Sequence, residues 1–158
     1  MSDISDALSN EQDNVIPLES VPRPSGDEPE PFIAGTERQL ALAYRIGQSD
    51  LENYGASFDE EAPFCVLLFP NPASHAHTNE AFGLHPLMSN GLIEHCVHEV
   101  MNSTSLAPPE AESSAPLERH FIITFRDSTF ECIAADCVVA GVYGSGDVAA
   151  REAFMLCR

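Results

Sequence analysis

Five of the six histidines in this chain fall between positions 75 and 98. Histidine, with cysteine and carboxylates, is the side chain from which transition-metal sites are built. The segment holds His75-Ala76-His77, then His85, then Glu94-His95-Cys96-Val97-His98-Glu99. A Zn-type ion needs three or four nitrogen, sulfur or oxygen ligands at about 2.0–2.3 Å. His75, His77, His95 and His98 are the candidate metal ligands, and a negative protein attracts the cation. The competing reading is a solvated helix face. Glu94 with His98, and His95 with Glu99, stand at i, i+4 as ordinary side-chain pairs. The H-E-x-x-H spacing is absent, and Cys96 belongs with the apolar residues of its segment.

Other chemistry has weaker support. Tyr143-Gly144-Ser145-Gly146-Asp147 resembles a loop whose backbone N–H groups hold an anion. No lysine exists to reach a phosphate, and Asp147 sits where the phosphate would lie, so this reads as a turn and helix cap. No G-x-S-x-G occurs, and the serines between 103 and 114 read as loop composition. The run Asp59-Glu60-Glu61 reads as a solvated charge cluster. No catalytic residue and no cofactor-binding residue is assigned.

Charge narrows the partners. The chain of 158 residues carries 25 acidic residues against seven basic ones, all arginine, for a formal charge of −18. That field repels phosphate backbones and anionic lipid, so neither nucleic acid nor a membrane is expected as a partner. It favours a protein partner, above all a basic one. No run approaches the roughly 20 apolar residues of a membrane span. Residues 1–14 carry neither the basic nor the apolar region of a secretory signal. The five cysteines are then expected as reduced thiols in the cytoplasm.

The elements that must position these residues follow from patterning. Residues 1–31, with eight acidic residues and prolines at 17, 22, 24, 29 and 31, read as a disordered acidic tail. Val15, Ile16 and Leu18 are its one apolar cluster. Residues 32–158 read as a single α+β domain. Thr36 and Gln39 form a capping box that predicts a helix over 36–46, although Leu40, Leu42, Tyr44 and Ile46 also alternate as in a strand. A second short helix is expected at 49–55. The apolar run 63–69 predicts a buried strand, and 71–86 a loop. Leu92, Ile93, Cys96, Val97, Val100 and Met101 predict an amphipathic helix over 87–101. Residues 102–116 predict a mobile polar loop.

The clearest element is a hairpin at 121–134. Phe121, Ile123, Phe125, Phe130, Cys132 and Ala134 share one face about a turn at Asp127-Ser128, of two residues or of four. Residues 137–143 predict a third strand of the same meander, and a helix capped by Asp147 follows. The expected fold is a small antiparallel sheet of three or four strands with two or three helices on one face. The leading functional reading is a non-catalytic protein-interaction or regulatory module. The alternative is a Zn-type metal-binding protein or metal-dependent enzyme using the histidines between 75 and 98. A structural subunit of a larger assembly is the third.

Overall fold

The computed structural model describes residues 13–26, 31–47, 63–79, 85–106 and 117–157. Two antiparallel sheets stack face to face, with one helix on the outside of the smaller. In chain order the strands are β1 (Asn14–Pro17), β2 (Phe32–Gly35), β3 (Gln39–Arg45), β4 (Phe64–Pro70), β5 (Ser74–Thr78), β6 (Val97–Met101), β7 (Arg119–Thr124), β8 (Thr129–Ala134) and β9 (Val138–Tyr143). Helix α1 (Gly146–Leu156) follows. The larger sheet runs β1-β6-β7-β8-β5 and the smaller β2-β3-β4-β9.

Alternation along the strands builds the core. Leu40, Leu42 and Tyr44 of β3 and Cys65, Leu67 and Phe69 of β4 meet Phe121, Ile123, Phe130, Cys132 and Ala134 of the β7–β8 hairpin. Phe69 lies 5.7 Å from Phe121 and 5.8 Å from Phe130 between ring centroids. On the other face of the smaller sheet, Ala41, Ala43 and Val66 pack on Ala149, Ala153 and Cys157 of α1. The small side chains there let the helix backbone come close. Burial pushes the Cys65 and Cys132 thiols up to about 12 and also raises those of Cys137 and Cys157.

The fold is therefore mostly β, and the expected α+β arrangement is overturned at three places. The helix expected at 36–46 is strand β3. Thr36 Oγ1 does accept the N–H groups of Arg38 and Gln39 at 3.3 and 3.2 Å, as a cap would. That local bond closes the β2–β3 turn instead, and the period-two pattern decides because both faces of β3 are covered. The helix expected at 87–101 is a 3-10 turn at Met88–Asn90 followed by β6. Gly91 breaks the segment with φ 115°, and its Cα lies so close to the Val15 carbonyl that a Cβ there would clash with that oxygen. The third strand of the meander pairs with β4, not β8, because β8 already has β7 on one side and β5 on the other.

Smaller expectations also shift. The hairpin turn spans Phe125–Ser128, closed by Phe125 N–H on Ser128 O at 2.9 Å. This moves the pairing by two residues, so Ile122 rather than Thr124 stands opposite Glu131, and the two faces keep their members. Residues 71–86, expected as loop, contain β5. Ser145, not Asp147, caps α1, its Oγ accepting Val148 N–H at 3.3 Å. Residues 13–26 of the expected tail join the fold: β1 pairs with β6, and Val21 is buried in the core. Residues 1–12, the expected helix at 49–55 and positions 107–116 of the expected loop lie outside the described residues.

Truncation of the ring that joins the sheets removes both aromatic contacts and leaves a cavity. Phe69→Ala is expected to cost about 3–5 kcal/mol, read as a lowered urea midpoint with an unchanged slope.

Candidate functional site

The outer face of the larger sheet carries a connected cluster of polar side chains. Alternation turns Phe121 and Ile123 inward, so His120, Ile122 and Thr124 of β7 point outward, as do Thr129, Glu131 and Ile133 of β8. Residues 85–95 pass over this face, with Leu92 packed on Val15, Val100 and Ile122 and with Leu87 beside them. That cover is irregular backbone, and the polar groups it turns toward the sheet need partners there. Thr124 Oγ1 donates to Ile93 O at 2.7 Å and accepts Cys96 N–H at 3.0 Å. His98 Nε2 accepts Ile93 N–H at 3.2 Å, so its Nδ1 carries the proton donated to Ile122 O at 3.0 Å.

Glu131 holds the centre of the cluster. Its Oε1 lies 3.0 Å from His120 Nε2 and its Oε2 lies 3.0 Å from His85 Nε2. His85 Nδ1 accepts Leu87 N–H at 3.0 Å, which places the proton of the neutral ring on Nε2, facing the carboxylate. His120 is fixed in the same way. The ionised carboxylate only accepts, so Nε2 donates and Nδ1 of the neutral ring keeps a lone pair. Ser103 Oγ sits 2.7 Å from Nδ1 and donates its O–H to that lone pair. Ser103 Oγ also accepts Ser105 N–H at 3.1 Å. Hydrogen bonding to His120, then to His85, holds the Glu131 carboxyl below the usual carboxylate range against the opposing effect of burial. The rings are buried, with side-chain exposures of 5% for His120 and 8% for His85, while Glu131 keeps 36%.

Two neighbouring contacts hold this arrangement. Asp13, at φ 54°, accepts Thr104 N–H and its Oγ1 on one carboxylate, tying the start of β1 to the turn that bears Ser103. Arg119 grips Glu99 through two bonds of 2.7 and 2.8 Å and reaches Asp136 at 2.7 Å, clasping β6, β7 and the crossover to β9.

The four histidines expected as metal ligands are spread through the fold. His75 and His77 lie on β5 and His98 on β6, with β7 and β8 between them. Three strand spacings make roughly 14 Å. His75 stacks on Phe130 at 6.2 Å, and His77 Nε2 bonds Ser128 Oγ at 2.9 Å. His95, at φ 49°, lies against Gly26. Both His98 nitrogens are engaged in the hydrogen bonds above. Among the described residues no group of three or more histidine, cysteine or carboxylate side chains is arranged to hold a metal ion.

The sequence reading missed the Ser103–His120–Glu131 chain. His120 stands outside the histidine-rich segment, and Ser103 sits in what reads as loop composition. The available signal was parity: counting by twos from Phe121 and Phe130 puts His120 and Glu131 on one face. Nothing in the sequence brings Ser103 or His85 to them.

A second feature lies at the opposite side of the sheet. Among the described residues, strands β5 and β2 are outermost in their sheets, and a groove of about 490 Å³ opens between them, lined by Ile33, Glu37, Leu40, Pro72, Ser74 and His75 among others. No helix among the described residues is long and apolar enough to cross a membrane.

Two pH effects follow. Burial lowers the His98 pKa, so its contribution to stability is complete above about pH 6.5 and is lost as the pH falls toward the folded value. The Glu131 pKa is lowered too; its contribution is complete above 4.5 and lost as the pH falls through the folded value. In urea titrations at successive pH values, His98→Gln should flatten the first window and Glu131→Gln the second. An amide at 131 can accept from only one of the two rings, so Glu131→Gln should also cost about 1–3 kcal/mol at neutral pH.

Comparison of the chain with protein-family models, curated proteins and solved structures finds no match, so the roles of these side chains rest on their geometry.

Proposed function

We propose that this chain is a protein-interaction module that takes an extended, basic segment of a partner protein as an added strand on β5. The observation that carries this reading is the form of the β5 edge. Its five residues pair with β8 in unbroken register and contain no proline and no bulge. Other edges are blunted. Strands β1 and β2 have four residues each, and β1 ends in Pro17. In β9 the register shifts so that Val66 faces Gly141 and Leu67 faces Val139, leaving Ala140 as an extra residue. Bulges, prolines and short length are the usual guards against strand addition.

The hydrogen-bond parity of the hairpin says which groups are offered. Phe125 closes the turn on Ser128, so residues 130, 132 and 134 bond toward β7 and residues 129, 131 and 133 toward β5. Ser74, Ala76 and Thr78 therefore bond to β8, and His75 turns its N–H and C=O outward. A strand laid along that edge would set a side chain into the groove over Ile33 and Leu40, beside the Glu37 carboxylate. Glu37 and the charge of −18 select lysine or arginine there and speed the encounter. Five cysteines without disulfides support a reducing, cytoplasmic setting for the encounter.

The test is selection of random displayed peptides on the full chain, followed by titration of the winners. They are expected to carry Lys or Arg in an alternating pattern. Binding should weaken roughly fivefold in His75→Pro, which removes one outward donor worth about 1 kcal/mol and spares the β5–β8 ladder. It should weaken again in Glu37→Gln and at raised salt. Peptides that bind His75→Pro as tightly as the parent would end this reading.

A further inference from the structure

We infer that Ser103 is an activated nucleophile, with His120 as its general base and Glu131 as the group that positions His120, and that it accepts acyl groups from uncharged or cationic esters. The site lies on the outer face of the larger sheet, so it is independent of the β5 edge.

Three observations carry the inference. First, the order of partners is the one nucleophilic catalysis needs: hydroxyl, imidazole lone pair, imidazole N–H, carboxylate. The distances along it are 2.7 Å from Ser103 Oγ to His120 Nδ1 and 3.0 Å from His120 Nε2 to Glu131 Oε1. Second, the tautomer is fixed from outside the chain. His85 occupies the second carboxylate oxygen at 3.0 Å and is itself held by Leu87 N–H, so the carboxylate cannot rotate away from His120. Third, the hydroxyl is oriented. Ser105 N–H occupies one lone pair of Ser103 Oγ, which directs the O–H at His120 and leaves the second lone pair for attack. Asn102, just before Ser103, has φ 54°, and Asp13 binds Thr104 just after it, so the backbone on both sides is pinned. Ser103 is half-buried, whereas Ser105 in the same turn is exposed.

The step balances without a co-reactant. The Ser103 proton passes to His120 Nδ1, and the Oγ electron pair forms the bond to the acyl carbon while the carbonyl π pair moves to oxygen. Collapse of that oxyanion breaks the bond to the leaving oxygen, which takes the proton from His120. Water repeats the exchange on the Ser103 ester and releases the acid. Glu131 and Asp13 beside the site disfavour anionic esters.

The test uses the full chain and a fluorophosphonate probe, with which the Oγ–P bond forms and fluoride leaves with the proton. One adduct is expected, mapped to Ser103 by mass spectrometry and absent in Ser103→Ala. Its rate should fall about a hundredfold in His120→Gln and substantially in Glu131→Gln, while far-ultraviolet circular dichroism stays unchanged. Should either variant lose its fold, Ser103→Cys is compared with Ser105→Cys in alkylation by iodoacetamide at mildly acidic pH. The thiol at 103 should react at least about tenfold faster despite its lower exposure, because His120 draws off its proton. No adduct at Ser103, an adduct formed equally fast in folded His120→Gln, or a thiol at 103 no faster than one at 105 would overturn the proposal.

Discussion

The contact of Phe69 with Phe121 and Phe130 joins the two sheets, and the parity of the surrounding strands follows from keeping those rings inside. A slip of one residue in β8 would turn Phe130, Cys132 and Ala134 outward and bring Glu131 into the aromatic layer. The core therefore holds the polar face in place. Glu131 and His120 meet on the outside because their neighbours on the strands must stay inside.

The outer face of the larger sheet meets a different demand. Its cover, residues 85–95, is neither helix nor strand beyond one short 3-10 turn. An irregular segment packed on a sheet cannot pair all its own N–H and C=O groups, so side chains from the sheet, and His85 within the segment, take some of them. Thr124 serves Ile93 and Cys96, His98 serves Ile93, and His85 takes Leu87. The histidines of this segment thereby divide into kinds. His98 works as a neutral structural group, while His85 buttresses a carboxylate that also bonds His120 beside the Ser103 hydroxyl.

Part of the sheet architecture was legible in the sequence, namely β4, the β7–β8 hairpin and β9, and the limits are physical. The faces of the 121–134 hairpin could be read because one side is a run of large apolar residues and the other is not. Strand β3 was harder, since Ala41 and Ala43 are buried under α1 as fully as Leu40 and Leu42 are buried between the sheets. A strand covered on both faces loses the polar alternation that marks it. Strand β6 suffered the same way, and the helical spacing of Leu92, Cys96 and Val100 is coincidental, with Gly91 and His95 at positive φ between the turn and the strand. The switch of β9 to the other sheet depends on β8 being occupied by β5, a long-range competition that local patterning does not record. The polar site was half legible: parity gives His120 and Glu131, while Ser103 and His85 arrive from turns whose paths no local signal sets.

The bulge at Ala140 has a consequence for assembly. Growth of a sheet by copy after copy requires two compatible free edges on every copy, one to receive and one to give. Here β5 is regular in register, while β9 carries an extra residue and β1 and β2 are short. Copies meeting through β5 would use up the regular edge of both and close as a two-fold pair, with no matching edge among the described strands left to extend. Among the described strands, a regular edge on one side is thus set against bulged or short edges on the others, a form that favours closed pairs over fibres.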